Sequence, residues 1–141
     1  IAIQQIAEGS ANLLYIAPEM LRSKTIERLL LGRSVVRFVI DEAHCFSAWG
    51  QDFRPDYLYI GDFIRNLQEQ KHQQQSIAVS CFTATAKQKV VSDICDYFRT
   101  KLGLELKKFP AKAERTGNPR YTTPVPCSKI FIISSPFLYT K

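Results

Sequence analysis

The chain has 141 residues, of which 45% are hydrophobic and 23% charged, and these proportions are ordinary for one folded domain. No apolar run approaches the roughly 20 residues that a membrane helix needs, so we expect a cytoplasmic protein without a membrane partner. The net charge of +6 comes mostly from residues 104–141, which hold seven of the 19 Lys and Arg, so it does not by itself predict that the rest of the chain binds nucleic acid.

Three short segments predict strands buried on both faces of a parallel sheet, because they are apolar and rich in β-branched or aromatic residues. They are residues 12–17 (NLLYIA), 35–40 (VVRFVI) and 77–82 (IAVSCF). In the stretches between them, over residues 18–31 and about 56–70, apolar residues recur at the spacing of a helix with one buried face.

A third helix is predicted to begin near Thr85, because Thr85 and Gln88 have the spacing of a capping box, and to end near Gly103. Residues 104–109 (LELKKF) then alternate like a strand. This succession of strands and helices is typical of an α/β fold with right-handed crossovers. We therefore expect an α/β domain over residues 1–109.

The character of the sequence changes at Pro110. Residues 110–127 carry four prolines and one glycine without periodicity, which predicts a linker or an unstructured tail over residues 110–141. Residues 129–139 (KIFIISSPFLY) have the composition of a strand, but no partner strand is evident for them. The four cysteines lack the spacing of zinc ligands or of a dense disulfide framework, so we expect buried free thiols.

Two adjacent acids, Asp41 and Glu42, follow the predicted strand over residues 35–40. Ligands bind beyond the carboxyl ends of parallel strands, and phosphoryl transfer to water needs groups that hold a metal ion and orient the water. An acid pair at this position can supply both functions. A solvated turn at a strand end explains the two acids equally well.

The residues that follow favour the first interpretation. Asp41-Glu42-Ala43-His44 is a DEAH box, and its continuation CFSAWGQDFRPDY resembles the RecQ family of DNA helicases. Residues 13–21 (LLYIAPEML) and 82–86 (FTATA) resemble motifs Ib and III of that family. The resemblance implies a partial RecA-like fold, with a parallel sheet and flanking helices, in which residues 1–109 are the C-terminal half of the first motor domain. This chain has Ala48 and Gln51 where the family commonly has Gln and His.

The resemblance also implies a role for each residue of the DEAH box. Asp41 would help to hold Mg²⁺ through water, Glu42 would polarise the water that attacks ATP, and His44 would relay the nucleotide state toward motif III. The alternative for His44 is a structural histidine whose ring is satisfied by a backbone carbonyl.

Trp49, Phe53 and Arg54 are the residues that the resemblance assigns to single-stranded or partly unwound DNA. Aromatic rings can stack on unpaired bases, and an arginine can bind phosphate or lie over a ring. Without the resemblance, the Trp and Phe side chains would be expected in the core. We expect Tyr57 to lie in the core.

Thr83 and Thr85 would couple hydrolysis to unwinding, although Thr85 could equally be a helix N-cap. Pro18 and Glu19 could present a helix N-terminus to a DNA phosphate, or simply begin a helix.

In ATP-binding proteins, a GxxxxGK[ST] motif forms the backbone cradle for the phosphates. The sequence does not contain this motif. The chain opens on Ile1 and its sole methionine is Met20, so we expect a part of a longer protein. The resemblance implies that this protein is a 3′-to-5′ DNA helicase, with the Walker A half and the second motor domain as partners of this chain. Alone, the chain is expected to be inactive. The alternatives are a non-catalytic nucleic-acid-binding remnant and an inert truncated product. An RNA helicase with a DEAD or DEAH box would account for the two acids but not for residues 49–55 (WGQDFRP).

Overall fold

The structure is a computed structural model, and it describes residues 2–49, 52–71, 76–84, 87–110 and 130–133. In chain order, its elements are α1 Ala2–Glu8, a first 3₁₀ helix Pro18–Arg22, α2 Lys24–Leu31, β1 Arg37–Ile40, a second 3₁₀ helix Ala43–Phe46, α3 Tyr57–Gln70, β2 Ala78–Thr83, α4 Gln88–Leu102, β3 Lys107–Pro110 and β4 Ile130–Ile133. The α/β class that the sequence predicts is confirmed. Within these residues, no helix is both long enough and apolar enough to span a membrane.

The four strands form one mixed sheet in the order β1-β2-β4-β3. β1 and β2 are parallel, with Arg37 opposite Ala78 and Ile40 opposite Cys81. A parallel pair needs a long crossover connection, and α3 lies within it. Because the two strands run in the same direction, the residues that follow β1 and those that follow β2 lie at the same edge of the sheet.

Helices α3 and α4 cover one face of this sheet and form the core with it. The ring of Phe38 on β1 meets the ring of Phe63 on α3 edge to face, with centroids 6.3 Å apart. The largest of the fully buried side chains come from both helices and β2: Ile64, Leu67, Val79, Ile94 and Phe98. Burial of side chains of this size contributes roughly 1.5–3 kcal/mol each, so this interface dominates the stability of the fold.

Residues 12–17 do not form the predicted strand. Leu14 and Ile16 pack against the core while Leu13 and Tyr15 are exposed, so the side chains alternate as they would in a strand. The backbone, however, joins no described strand in the sheet. Strand formation depends on a hydrogen-bonded neighbour as well as on composition, which is why composition alone misled here.

The predicted helix over residues 18–31 is in fact two helices. Ser23 has an extended backbone, with φ −75° and ψ 125°, and it separates the first 3₁₀ helix from α2. By contrast, α3 begins within one residue of its predicted start. Apolar spacing identifies the residues that face the core, but it does not detect a break in the backbone.

Helix α4 begins at Gln88, later than predicted, and Lys87 is its N-cap residue. Thr85, the other half of the predicted capping box, lies outside the described residues. The predicted end is confirmed, because α4 stops at Leu102 and Gly103 follows with φ 65°. Glycine adopts this left-handed conformation without the steric penalty that other residues meet.

The sheet also differs from the parallel sheet that the sequence predicts. β3 overlaps the predicted strand over residues 104–109, but its neighbour is β4, which runs antiparallel to it. β4 lies within residues 129–139 and also pairs with β2, so the expectation that this segment lacks a partner is wrong. β2 and β3 run in the same direction on either side of β4. The connection through α4 therefore leaves space for one strand between them.

Candidate functional site

Asp41 and Glu42 lie where the sequence predicts, directly after β1 at the carboxyl edge of the sheet, and both are exposed. Glu42 has a left-handed backbone, with φ 51° and ψ 40°, and its N–H donates to Oδ1 of Asp41 at 2.9 Å. Among the described residues, no other residue except glycine has a positive φ. Such strain costs roughly 1–3 kcal/mol and clusters at functional sites, so it marks this pair as a candidate site.

His44 lies beside Glu42. Its Nδ1 is 3.1 Å from Oε2 of Glu42, and the side chain is mostly buried. No hydrogen bond of good geometry to Nδ1 is found within the described part of the chain. The predicted relay from His44 toward motif III stays a prediction.

Phe46, the last residue of the second 3₁₀ helix, is buried, whereas Trp49 and Phe53 further along the chain are exposed. Phe46 is 5% exposed, and its ring contacts the rings of Tyr57, Tyr97 and Phe98 at centroid distances of 5.4, 4.6 and 5.2 Å. These rings belong to α3 and α4. Phe46 therefore anchors the segment after the acids to the core.

The segment from Asp41 to Tyr57, called here the aromatic connection, is closed on itself by two hydrogen bonds. The hydroxyl of Tyr57 donates to the carbonyl oxygen of Asp41 at 3.3 Å, and the N–H of Arg54 donates to the carbonyl oxygen of Cys45 at 3.2 Å. Burial raises the pKa of Tyr57 to about 12, so its hydroxyl keeps its proton at neutral pH. The position predicted for Tyr57, in the core, is confirmed.

The residues predicted to contact DNA are on the surface of the aromatic connection. Trp49 is 70% exposed and Phe53 is 44% exposed, so the alternative that they are core residues is wrong. Arg54 is also exposed and forms no salt bridge with any described residue. Arg22, by comparison, is held by Asp56, with Nε 3.3 Å from Oδ1. The guanidinium of Arg54 is therefore available to an external anion.

Of the two threonines predicted to couple the site, the structure describes Thr83. It is the last residue of β2 and is 1% exposed. The parallel register places the end of β2 beside Asp41 and Glu42, because Ile40 is opposite Cys81. Thr85 lies outside the described residues. Pro18 and Glu19 begin a short 3₁₀ helix, and their contact with a phosphate remains a prediction.

Two residues that hold the aromatic connection, Ser47 and Asp93, were not predicted from the sequence. The hydroxyl of Ser47 donates to Oδ2 of Asp93 on α4 at 2.6 Å, and Ser47 is 1% exposed. The spacing of Lys89 and Asp93 predicts an ion pair on one helix face, and the structure has it at 2.8 Å. No local pattern predicts a contact between residues 46 positions apart.

The thiols do not add chemistry to this site. Cys45, Cys81 and Cys95 are free and buried, as predicted; Cys127 lies outside the described residues. Burial raises the pKa of all three thiols, so they stay protonated and unreactive. The described residues contain no group of three or more His, Cys, Asp or Glu that could hold a metal ion. A metal ion here would depend on Asp41 together with water or ligand oxygens.

The amino-acid sequence of the chain is similar to those of known proteins. Residues 2–94 match the DEAD/DEAH box helicase family. The ATP-dependent DNA helicase RecQ of Bacillus subtilis is 42% identical over 90 residues, which are 64% of this chain and 14% of the relative. The RecQ-like DNA helicase BLM of Xenopus laevis is 41% identical over 93 residues, which are 62% of this chain and 6% of the relative. The ATP-dependent DNA helicase RecQ of Haemophilus influenzae is 32% identical over 118 residues, which are 84% of this chain and 17% of the relative.

The chain therefore belongs to the DEAD/DEAH box helicase family, and its resemblance to RecQ helicases is confirmed. It spans less than a fifth of the length of each of these relatives.

Proposed function

We propose that the chain is part of the first motor domain of a RecQ-like, ATP-dependent DNA helicase, in which hydrolysis and DNA contact share the aromatic connection. Residues 1–109 would be the C-terminal half of that RecA-like domain. The Walker A half and the second motor domain would come from the rest of the parent protein. The observation that carries the proposal is the closure of the connection through Tyr57 to Asp41 and Arg54 to Cys45, which joins the acids and the exposed rings in one unit.

In this proposal the acid pair serves ATP. Asp41 holds Mg²⁺ through water, which suits an ion that keeps several waters and takes one or two carboxylates. Bound Mg²⁺ neutralises charge on the phosphates. Glu42 orients and polarises the attacking water. His44, whose Nδ1 is 3.1 Å from Oε2 of Glu42, relays the nucleotide state toward motif III.

The other half of the connection serves single-stranded or partly unwound DNA. Trp49 and Phe53 present exposed faces to unpaired bases, and stacking contributes roughly 1–3 kcal/mol per base. Arg54 binds a phosphate. We propose that motion along the strand is 3′ to 5′, as the likeness to RecQ helicases implies, and that Thr83 and Thr85 couple it to hydrolysis.

The test is Trp49→Ala in the intact parent helicase. At sub-saturating DNA, we expect the stimulation of ATP hydrolysis to fall about tenfold, since one lost stacking contact costs roughly 1–3 kcal/mol. Phe109→Ala is the matched control, because Phe109 is an aromatic residue 42% exposed on β3, outside the connection. Unchanged stimulation in Trp49→Ala, or an equal loss in Phe109→Ala, would contradict the proposal.

The second candidate is a non-catalytic DNA-binding protein, supported by the exposed side chains of Trp49 and Phe53. In that case the exposed rings bind DNA and the acids are idle. The GxxxxGK[ST] cradle does not occur in the 141 residues. Affinity for the triphosphate depends mainly on that cradle, so we expect no measurable ATP hydrolysis from this chain alone. Phosphate release stimulated by single-stranded DNA from the purified chain would overturn this expectation. Mg²⁺-dependent nucleotide binding by the parent protein separates the two candidates.

A further inference from the structure

Ser47 lies at the base of the aromatic connection and makes two polar contacts from a buried position. Its Oγ donates to Oδ2 of Asp93 at 2.6 Å and accepts the backbone N–H of Trp49 at 3.2 Å. The hydroxyl therefore uses its one donor and one of its acceptor sites. As a result, the backbone of Trp49 is joined to α4 through a single side chain.

Asp93, the α4 residue of this link, is itself held by an ion pair. The Oδ1 atom of Asp93 lies 2.8 Å from Nζ of Lys89, one turn earlier on α4. With a donor on each oxygen, the carboxylate cannot rotate without losing a contact. A hydrogen bond from a hydroxyl to an ionised carboxylate is short and about twice as strong as a neutral one, in agreement with the 2.6 Å distance.

Packing anchors the second 3₁₀ helix through Phe46, which lies among the rings of α3 and α4. Ser47 follows it, buried and with its N–H donated to the carbonyl oxygen of His44 at 3.0 Å. The bond from Ser47 to Asp93 adds a side-chain restraint at this position. It acts on the residues that carry the Trp49 side chain.

Helix α4 is also tied to the other half of the candidate site. It begins at Gln88, shortly after Thr83 ends β2 at the edge that carries Asp41 and Glu42. Lys89 and Asp93 are on its first two turns. The bond from Ser47 to Asp93 therefore links the aromatic connection to the start of α4.

We propose that Ser47 and Asp93 are positioning residues that hold Trp49 and the N-terminal half of α4 in one arrangement, so that the two move together. The positioning itself is independent of the proposed function. Its consequence for DNA, which is that Trp49 is presented to a base in a prearranged orientation, rests on that function.

Trp49 is the sole tryptophan among the 141 residues, so its fluorescence reports on this connection alone. The test measures time-resolved fluorescence anisotropy of the purified chain and of its Ser47→Ala, Asp93→Ala and Asp93→Asn variants. We expect the sub-nanosecond decay to grow about twofold in amplitude in Ser47→Ala and Asp93→Ala. Asp93→Asn keeps an oxygen acceptor and should show a smaller change. The double variant Ser47→Ala/Asp93→Ala should add nothing to either single one.

Ser92→Ala and Asp96→Asn are the matched controls. These two residues lie on the same helix and are hydrogen-bonded to each other at 3.3 Å, and Asp96 also pairs with Arg99 at 2.8 Å. Neither has a hydrogen bond or ion pair to the described residues of the aromatic connection. Circular dichroism of every variant establishes that the helices are retained. Wild-type anisotropy in folded Ser47→Ala and Asp93→Ala would overturn the inference, as would an equal increase in the controls.

Single-stranded oligo(dT) separates this inference from the proposed function. If both hold, oligo(dT) quenches Trp49 in the wild type, and Ser47→Ala weakens the apparent affinity about three- to tenfold. If oligo(dT) leaves wild-type fluorescence unchanged while the anisotropy result stands, the positioning role is supported and the DNA contact is contradicted. Quenching with equal affinity in Ser47→Ala and the wild type would overturn the consequence for DNA.

Discussion

Glu42 combines an exposed carboxylate with a backbone conformation that glycine adopts far more readily. Two contacts hold it there: its N–H donates to Oδ1 of Asp41, and its carbonyl oxygen accepts the N–H of Cys45 at 2.9 Å. The second contact begins the 3₁₀ helix whose Phe46 is buried in the core. The packing of that helix therefore maintains the strain, and the strain aims the Glu42 side chain away from the core.

We expect Glu42→Gly to raise the free energy of unfolding by about 0.5–1 kcal/mol, because glycine avoids the left-handed penalty of roughly 1–2 kcal/mol but loses more backbone entropy on folding. Glu42→Gln is the matched control, since it removes the charge and keeps the strained backbone. Urea unfolding followed by circular dichroism measures both variants. A glycine variant less stable than the glutamine variant would show that the conformation is not strained.

The carboxyl of Asp93 gives the protein a stability that depends on pH. Lys89 and the hydroxyl of Ser47 hold the pKa of Asp93 below its usual value. A carboxyl with a depressed folded-state pKa stabilises the fold fully above its unfolded pKa of about 3.9, and this stabilisation is lost as the pH falls through the folded-state pKa.

We expect Asp93→Asn to lower the free energy of unfolding at pH 7 by up to about 1 kcal/mol, because the ion pair with Lys89 is partly exposed and screened. The difference from the wild type should shrink below about pH 3.9. Urea titrations at several pH values measure it. In Lys89→Gln, the free energy of unfolding should depend less on pH over the same range than it does in the wild type. A difference that widens as the pH falls would contradict this account.

At the scale of elements, the contact between α3 and α4 depends on Gly61. A Cβ atom there would lie 2.6 Å from Oη of Tyr97 and 3.0 Å from Cβ of Lys101. The tyrosine cannot easily move aside, because its hydroxyl accepts the N–H of Gly61 at 2.8 Å and donates to the carbonyl oxygen of Leu58 at 2.7 Å. The absent side chain therefore sets how closely the two helices approach.

Gly61→Ala should destabilise the protein by about 0.5–2 kcal/mol, since overpacking costs roughly 1–3 kcal/mol and the better helix propensity of alanine returns at most about 1 kcal/mol. Gly32→Ala is the matched control. A Cβ on Gly32 would meet its nearest atoms at 3.6 and 3.7 Å, which is ordinary contact. Thermal unfolding of the two variants measures the difference. Equal melting temperatures would show that the helices can separate without cost.

For the whole molecule, the notable feature is apolar surface beside β1, which is at the edge of the sheet formed by the described strands. Val39 is 61% exposed and Val36 is 78% exposed. Edge strands with exposed apolar side chains pair readily with other chains.

We expect the purified chain to self-associate and Val39→Lys to reduce that association, because a charge on an edge strand opposes pairing between chains. Sedimentation velocity at several protein concentrations measures the effect. Met20→Lys is the control, since Met20 is 52% exposed on the first 3₁₀ helix, outside the sheet. An equal reduction in both variants would assign the effect to net charge instead of to the edge of the sheet.

The sequence alone determined the features that depend on neighbouring residues. The periodicity of apolar side chains predicted α3 and most of α4, and the apolar runs over residues 35–40 and 77–82 contain most of β1 and β2. The acids after the first of these runs were placed correctly at the edge of the sheet for the same reason. Strand and helix propensities and side-chain spacing are local quantities, and a sequence displays them directly.

Tertiary structure alone decided which segments meet. It left residues 12–17 without a partner among the described strands, and it placed β4 between β2 and β3. It also buried Phe46 while exposing Trp49 and Phe53, and it joined Ser47 to Asp93. Each of these outcomes depends on hydrogen bonds or burial between segments distant in the chain. The free energy of such contacts belongs to pairs of segments and not to either segment alone, so no local pattern contains it.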